Sequence, residues 1–436
     1  MVIKFWQWAA LSVIRAFAPE RAAGIALARR IDWSSAKPGK LTVLCLERSQ
    51  FIKDIEELRR LTNLNLVTLN AVRLKEQQEQ WVPEADREQG YFSTWLKEPR
   101  AAHLRPVLES FGMALLTEAQ RTMQVDAVAT ANIDYWQDEA VKLACLRLGI
   151  PFLVLCRENY TIPWTVPWMH EHLAKARFHF DGAGLAVFSQ ATKVAFSPGF
   201  ANPDDIWVTG APRYDRWIHM SPLAESQKTH ISLVTFNDPG YMAVNTFLET
   251  AEIFDRVARA ENRPGLTWLV KCKKRGDRTE VLERVGSLDG SPLLFEYDTP
   301  LFELYPRSRV VIGYNSLALV EAMLTDAPVV VPCWGEARPP RKDLLLDYND
   351  PLTRRVVTFA DSPETFAELI ARAALGDKLL VGTPEDRRAL FQTHIHLPGS
   401  DGGPATASAA TEKFVRHYVE RARLATASRT ASSKAA

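Results

Sequence analysis

Residues 305–336, YPRSRVVIGYNSLALVEAMLTDAPVVVPCWGE, decide the fold class of this chain. Positions 310–312 form a short apolar run of the kind that a parallel strand buried on both faces requires, and the polar turn 313–316 interrupts it. Apolar residues then recur at helical spacing from Leu317, and a second apolar run follows at 329–331. This order predicts a strand–helix–strand unit of a parallel sheet.

Two polar residues, Asn315 and Ser316, stand where this strand gives way to the helix. In an open parallel sheet, ligands bind beyond the carboxyl ends of the strands, where the first N–H groups of the next helix are unpaired and can bind an anion. Both residues also belong to the types that cap helices, so a purely structural role explains them equally well. This segment leaves both roles open.

The composition favours a globular protein with two α/β domains. The chain has 436 residues, of which 47% are hydrophobic and 24% are charged, and this length is enough for two hydrophobic cores. Lys and Arg total 53 against 52 for Asp and Glu. Because this balance creates no overall field that attracts a polyanion, we expect no nucleic-acid partner.

The five cysteines are far apart and mostly set in apolar runs. This pattern is typical of buried thiols in a reducing compartment. No pair of cysteines has the close spacing of a zinc site, so we expect no metal site built from Cys.

The N-terminal segment, residues 1–36, is predicted to be helical and amphipathic. Its apolar stretch from Phe5 to Phe17 contains Gln7 and Arg15 and falls short of the roughly 20 residues that span a bilayer. Residues 1–30 also carry tryptophans and basic side chains, a combination that lets a helix lie on the inner-membrane surface. A helix packed on the protein or on a second subunit explains the same pattern.

Strand-like and helix-like runs alternate along the chain in two series. The first series begins with LTVLCLE (41–47), and the second begins with THISLVTFND (229–238) and ends with the strand RRVVTF (354–359). Such alternation predicts parallel sheets with crossover helices. The predicted parts are the N-terminal segment (1–36), a first Rossmann-like domain (37–225), a second (226–406), a closing helix (407–424) and a disordered tail (425–436).

The GYNSLALVEA loop and helix (313–322) and the VTGAPRYD turn (208–215) resemble glycosyltransferases of the GT-B fold, nearest those of capsule and lipopolysaccharide synthesis. The resemblance covers most of residues 40–424. It implies an α/β fold of two Rossmann-like domains that face each other across a cleft, with a glycan or glycolipid acceptor on the first and a nucleotide-sugar donor on the second. It also implies a cytoplasmic enzyme, peripheral on the inner membrane, that extends a surface glycan without a cofactor or a bound metal.

The resemblance places the donor phosphate near Asn315 and Ser316 and the donor ribose near Glu321. A basic run that follows the apolar stretch 266–270 suits a phosphate ligand, although a solvated basic turn is the alternative. The predicted donor-binding residues are Lys271, Lys273, Arg275, Asn315, Ser316 and Glu321, with Asp298 and Thr299 as secondary candidates.

Catalysis by an inverting transferase needs a carboxylate or a histidine that takes the proton of the acceptor hydroxyl. Acids that follow strand-like runs meet this need, and we predict Glu158 first and Asp238 second as catalytic residues. An ion pair with a neighbouring arginine is the competing role for Glu158, and a turn before Pro239 is the competing role for Asp238. Further site candidates are Asp134, Glu139 and Arg213, the last favoured as part of a structural ion pair in the turn that also contains Asp215.

The aromatic segment WTVPWMHEHL (164–173) contains His170 and His172 and offers Trp164 or Trp168 for stacking on an acceptor sugar. Packing in the core is the stronger expectation for those tryptophans.

We find no convincing DxD metal motif, GxSxG elbow, Walker loop or GxGxxG fingerprint. Two other functions fit the same fold: a nucleotide-sugar epimerase and a non-catalytic subunit that binds a sugar nucleotide. A subunit of the latter kind would keep the phosphate loop and tolerate the loss of the catalytic acids.

Overall fold

The computed structural model describes residues 17–87, 91–218, 220–236, 243–273, 276–285, 289–338, 344–399 and 403–435. The chain divides into two units. Unit 1 comprises Met1–Asp215 and Ile395–Ala436, and unit 2 comprises Arg216–His394. The boundary therefore lies ten residues before the predicted end of the first domain, and the chain returns to unit 1 before the predicted end of the second.

Unit 1 is built on a sheet of six parallel strands in the order β2-β1-β3-β4-β5-β6. The strands are β1 (Leu41–Glu47), β2 (Leu64–Asn70), β3 (Ala127–Thr130), β4 (Phe152–Leu155), β5 (Gly184–Val187) and β6 (Ile206–Val208). Residues 42–46 of β1 are buried without interruption, as expected of a parallel strand covered on both faces. The predicted strand 41–47 is confirmed to the residue.

Helices connect these strands and cover the sheet. They are α1 (Pro19–Ala28), α2 (Phe51–Leu61), α3 (Ala71–Gln78), α4 (Glu84–Arg87), α5 (Phe92–Trp95), α6 (Leu104–Thr122), α7 (Trp136–Leu148), α8 (Val166–Lys175) and α9 (Gln190–Phe196). Helices α6 and α7 pack closely because α6 carries Gly112, where an added Cβ would lie 1.9 Å from the carbonyl oxygen of Ala140.

The described part of the N-terminal segment packs on unit 1. Helix α1 lies so close to α6 that a Cβ at Gly24 would be 2.4 Å from the carbonyl oxygen of Phe111. Residues 1–16, which carry most of the predicted membrane-binding side chains, lie outside the described residues. Within the described part of the chain, no helix is both long and apolar enough to cross a membrane.

Unit 2 contains a second sheet of six parallel strands in the order β12-β11-β10-β7-β8-β9. The strands are β7 (His230–Val234), β8 (Thr267–Lys271), β9 (Leu293–Glu296), β10 (Ser308–Ile312), β11 (Val329–Pro332) and β12 (Val357–Ala360). From one edge, this is the Rossmann order 3-2-1-4-5-6. The fold class predicted from the sequence, with two Rossmann-like α/β domains, is confirmed for each unit.

The helices of unit 2 follow a short helix at the unit boundary, α10 (Asp215–Ile218). They are α11 (Val244–Ala260), α12 (Asp277–Val285), α13 (Leu301–Leu304), α14 (Leu317–Ala322), α15 (Pro351–Val356), α16 (Pro363–Leu375) and α17 (Pro384–His394). Helix α15 occupies half of the segment RRVVTF, so the last strand begins only at Val357.

The closing helix, α18 (Ala407–Ala435), is longer than predicted. It continues through the segment expected to be a disordered tail, and that expectation is wrong as far as Ala435. Phe414 and Tyr418 of this helix belong to the same buried cluster as Val43 and Leu153 of the unit 1 sheet. The helix is therefore part of the core of unit 1.

All five cysteines are buried and free. The prediction of buried thiols is confirmed.

Candidate functional site

The candidate site of unit 2 lies at the point where its sheet changes direction. The chain moves from β7 towards one edge of the sheet through β8 and β9, and then places β10 on the other side of β7. Ile312 pairs with Leu233 near the carboxyl ends of these two strands. The loops that follow β7 and β10 therefore diverge from neighbouring positions, and a crevice of this kind is where Rossmann folds bind ligands.

The loop after β10 holds Asn315 in a left-handed conformation. Its φ is 41°, which is uncommon for a residue with a Cβ and is best tolerated by Asn and Asp. The Oδ1 atom of Asn315 accepts a hydrogen bond of 2.8 Å from the N–H of Leu345. The next residue, Ser316, caps α14, because its Oγ accepts from the N–H of Ala318 at 3.3 Å. The capping role considered for this pair is thus present in Ser316.

Glu321 is half-buried on α14, and its charge acts on Tyr305. Burial, together with the nearby carboxylate of Glu321, raises the pKa of Tyr305 well above its ordinary value. The hydroxyl of Tyr305 has no hydrogen-bond partner among the described residues.

The basic run after β8 divides into residues with different surroundings. Lys271 donates through Nζ to the carbonyl oxygen of Tyr297 at 2.6 Å, whereas the side chain of Lys273 is exposed. Lys274 and Arg275 lie outside the described residues. Of the predicted phosphate ligands in this run, the structure therefore places Lys273 as the exposed cation.

Asp277 fixes the loop that carries Lys273. This aspartate is fully buried at the start of α12, and its Oδ2 accepts hydrogen bonds from the hydroxyl of Thr235 at 2.6 Å and from the N–H of Lys273 at 2.7 Å. The Lys273 N–H also lies 3.1 Å from Thr235 Oγ1. Because Thr235 follows β7 directly, these bonds hold Lys273 beside the change of direction.

Thr235 and Asp277 are not among the site residues predicted from the sequence. Their residue types and positions could have indicated a role. Thr235 is a hydroxyl residue that follows an apolar run, and Asp277 is an acid at the start of a helix, where acids are favoured. The sequence does not show that the two side chains meet.

The secondary candidates Asp298 and Thr299 follow β9. Their N–H groups donate to Glu296 Oε1 at 2.8 and 2.9 Å. The backbone bond from Thr299 is the largest of the effects that lower the pKa of Glu296. These residues follow β9, the second strand from β7, whereas Lys273 follows β8, which pairs directly with β7.

In unit 1, Glu158 follows β4 and keeps an exposed carboxylate. Its side chain is 47% exposed, and its Oε1 lies 3.6 Å from Nε of Arg157. The competing role as an ion-pair partner is therefore present, but the carboxylate remains accessible to solvent. The other predicted catalytic acid, Asp238, lies outside the described residues.

Asp134 and Glu139 are not accessible in the same way, because both belong to a buried cluster around Lys142. Nζ of Lys142 lies 3.5 Å from Asp134, 2.7 Å from Glu139 and 2.7 Å from Asp181. Asp134 also accepts from the hydroxyl of Ser93 at 2.8 Å. Burial raises the pKa of Asp134, and it raises the pKa of Glu139 to about 7.

Arg213 forms a buried ion pair, as expected, but its partner is Asp54. Nε and the main-chain N–H of Arg213 donate to Asp54 Oδ1 at 2.9 and 3.0 Å. Asp215 instead accepts from the N–H groups of Ala407 and Ser408, both at 2.8 Å, at the start of α18. Both side chains of this turn thus stabilise unit 1.

Trp164 and Trp168 are 41% and 61% exposed, so the expectation that they pack in the core is wrong. Nε2 of His170 lies 2.9 Å from the carbonyl oxygen of Val194. The rings of His172 and Trp168 are stacked, with 5.4 Å between their centres. Within the described ranges, no group of three His, Cys, Asp or Glu side chains is arranged to hold a metal ion.

The sequence matches no protein-family model, and no curated protein matches it. Among solved structures, a glycosyltransferase from Rickettsia africae is similar at 14% identity with a TM-score of 0.46, over 88% of this chain and 98% of that one. A putative UDP-N-acetylglucosamine 2-epimerase from Listeria monocytogenes is similar at 12% identity with a TM-score of 0.47, over 88% and 98%. An α,α-trehalose 6-phosphate synthase from Burkholderia multivorans gives 12% identity and a TM-score of 0.44, over 89% and 98%. Likeness at this level does not assign a function to the chain.

Proposed function

We propose that this protein is a glycosyltransferase that moves a sugar from a nucleotide-activated donor to a growing surface glycan, a capsule or a lipopolysaccharide. The observation that carries the proposal is the placement of Lys273. The bond network of Thr235 and Asp277 holds this exposed cation beside the change of direction in a Rossmann sheet, which is the place where such sheets bind nucleotides.

The donor diphosphate would bind between the loops that follow β8 and β10. Lys273 supplies positive charge for the phosphate oxygens, and the fixed loop at Asn315 and Ser316 supplies backbone groups held by the bond from Leu345. Glu321 is the proposed partner of the donor ribose. Lys271 is a positioning residue, because its ammonium binds the carbonyl of Tyr297.

In the transfer step, the acceptor oxygen forms a bond to the anomeric carbon of the donor sugar, and the bond between that carbon and the diphosphate breaks. The acceptor proton passes to a carboxylate, and the nucleoside diphosphate leaves. Glu158 is the proposed base, because its carboxylate is exposed at the end of a strand while those of Asp134 and Glu139 are bound to Lys142. Asp238 is the second choice.

The experiment that tests the donor site is a thermal-shift screen of the full chain against nucleoside diphosphates and their sugar conjugates. A ligand that binds the native state raises the melting temperature by mass action. We expect one nucleotide class to do so in the wild type and to have a smaller effect on Lys273→Ala, whereas Lys378→Ala, which removes another exposed lysine of unit 2, keeps the wild-type shift.

Release of nucleoside diphosphate with a glycan acceptor present then separates the possible functions. Release with transfer of the sugar supports the transferase. A nucleotide shift without turnover in the wild type favours the non-catalytic subunit, and interconversion of donor sugars favours the epimerase. If no nucleotide changes the melting temperature of the folded protein, the donor site is wrong.

A further inference from the structure

Unit 1 contains an aromatic cavity that the proposed donor chemistry does not use. Its volume is about 400 Å³, within the range of roughly 300–1,000 Å³ that is usual for small-molecule sites. Residues 133–137, which follow β3, and Tyr160, which follows β4, line it together with Trp168 and His172 of α8. The cavity thus lies at the carboxyl edge of the unit 1 sheet, where open α/β sheets bind ligands.

The wall of this cavity is a set of rings that remain accessible. Trp168 is 61% exposed and Tyr135 is 40% exposed. The rings of Trp168 and His172 are nearly parallel, with 14° between their planes and 5.4 Å between their centres. The ring of Tyr91 lies 5.8 Å from that of His172. Exposing aromatic rings to water is unfavourable, and this accessible wall is suited to the face of a ligand.

The cavity is also lined by residues with unused hydrogen-bonding atoms. The hydroxyl of Tyr160 and Oε1 of Gln137 are buried, and neither has a hydrogen-bond partner among the described residues. Leaving such groups unpaired in a buried place is unfavourable. A ligand with hydroxyl groups at its rim offers both a donor and an acceptor to them.

The charged side chains of the wall are already engaged with protein groups. Arg87 donates to the carbonyl oxygens of Val82 and Glu79 at 2.9 and 2.8 Å. Asp134 accepts from Ser93 and lies 3.5 Å from Lys142. A phosphate would need an uncommitted cation, which Arg87 does not supply, and Asp134 is not an uncommitted carboxylate that would pair with a cationic ligand. The wall therefore favours an uncharged ligand.

The backbone of Tyr91, which lines this cavity, is strained. Tyr91 has a φ of 59°, a conformation that is costly for a bulky residue and tends to persist at functional sites. The bonds from the N–H and hydroxyl of Ser93 to Asp134 hold this segment against the end of β3. In this conformation the ring of Tyr91 lies 5.8 Å from that of His172 and 4.8 Å from that of Phe178.

We propose that the cavity binds an uncharged pyranose, with one face of the sugar against Trp168 and with its hydroxyl groups hydrogen-bonded to Tyr160 and Gln137. The C–H groups of a pyranose face carry slight positive charge and suit the negative face of an aromatic ring. The proposal rests on the proposed function only in identifying this sugar as the acceptor end of the glycan, since binding to the cavity needs no donor.

The test is calorimetric titration of the full chain with methyl glycosides of neutral hexoses and N-acetylhexosamines, and with choline, glucose 6-phosphate and adenosine for comparison. We expect at least one neutral glycoside to bind in the millimolar range or tighter. Trp168→Ala should weaken it about tenfold, and Tyr160→Phe should weaken it several-fold without loss of the fold. Phe17→Ala removes another exposed aromatic ring of unit 1 that does not line the cavity and should leave the affinity unchanged.

Absence of glycoside binding, binding that Trp168→Ala does not weaken, or preference for choline, the phosphate ester or adenosine would each overturn the proposal. A nucleotide thermal shift is measured on the same samples. If the nucleotide binds and no glycoside does, the cavity proposal fails while the donor site stands. If a glycoside binds and no nucleotide does, the donor site fails while the cavity proposal stands.

Discussion

Arg213 and Asp54 form a buried ion pair although 159 positions separate them along the chain. Their side chains are 12% and 3% exposed. Two bonds from Arg213 reach the same carboxylate oxygen, and a further guanidinium N–H of Arg213 donates to the carbonyl of Arg157 at 2.8 Å. The pair joins α2 to the turn after β6 and so closes two distant parts of unit 1.

Removal of one member of this pair should strongly destabilise unit 1. Asp54→Ala leaves a guanidinium buried without its carboxylate, at a cost of about 3–5 kcal/mol in the free energy of unfolding. Urea unfolding followed by circular dichroism measures the loss. Glu171→Ala removes one side of the exposed pair with Lys175 and should leave the midpoint unchanged. Equal effects of the two substitutions would contradict the role of the Asp54 pair.

Asn315 should show a stability order set by its backbone. Asn315→Gly and Asn315→Ala both remove the acceptor of the Leu345 N–H, but only alanine must adopt a φ of 41° with a Cβ. We expect the alanine variant to be less stable than the glycine variant by about 1 kcal/mol. Thermal unfolding of the two proteins provides the comparison, and equal stability would show that the loop relaxes to another conformation.

Glu139 should make unfolding depend on pH. Burial raises the pKa of its folded-state carboxyl from 4.5 to about 7, so the native state holds a proton that the unfolded chain releases at lower pH. The resulting stabilisation is complete below pH 4.5 and is lost as the pH rises towards 7. As the pH rises from 4.5 to 7, we expect the free energy of unfolding to fall less in Glu139→Gln than in the wild type, by on the order of 1–3 kcal/mol.

Urea unfolding of wild type and Glu139→Gln at a series of pH values tests this difference, because the contributions of other groups largely cancel. If the free energy of unfolding depends on pH in the same way in both proteins, Glu139 remains ionised in the cluster around Lys142.

Asp277 should control nucleotide binding without touching the nucleotide. Asp277→Ala removes the common acceptor of Thr235 and of the Lys273 N–H and frees the loop that presents Lys273. We expect both a lower melting temperature and a smaller nucleotide shift. Asp277→Asn keeps an acceptor oxygen and should retain more of the shift. A full nucleotide shift in Asp277→Ala would exclude this positioning role.

Glu158 should matter for turnover and not for donor binding. If it takes the acceptor proton, Glu158→Gln should lower kcat about 10²- to 10⁴-fold and leave the nucleotide thermal shift intact. The exposed acid Glu171 of the same unit supplies the control, as Glu171→Gln. Normal turnover in Glu158→Gln would move the assignment to Asp238.

The strands could be predicted from the sequence more accurately than the helices next to them. The run 41–47 is apolar and is preceded by Pro38 and Gly39, so its bounds are clear. The segment RRVVTF looked like one strand, yet Asp350 caps a helix that continues to Val356. The end of the chain was expected to be disordered from its composition, but its many alanines favour a helix.

The position of the loop at Asn315 and Ser316 could be predicted from the sequence, and the contacts around it could not. Asn315 and Ser316 follow a strand, and the strand order places them at the change of direction. The bond between Thr235 and Asp277 joins residues 42 positions apart, and no periodicity of the sequence encodes such a partner. Trp168 is 61% exposed and lines a cavity, whereas tryptophan is highly buried on average.

The closing helix imposes an order on synthesis. Every described strand and helix of unit 2 is translated before Phe414 and Tyr418, yet these two residues belong to the core of unit 1. The first half of the chain must therefore wait with an exposed apolar surface while the middle of the chain folds as a domain. Although the sheet of unit 1 is translated first, its apolar surface is open to aggregation for that interval.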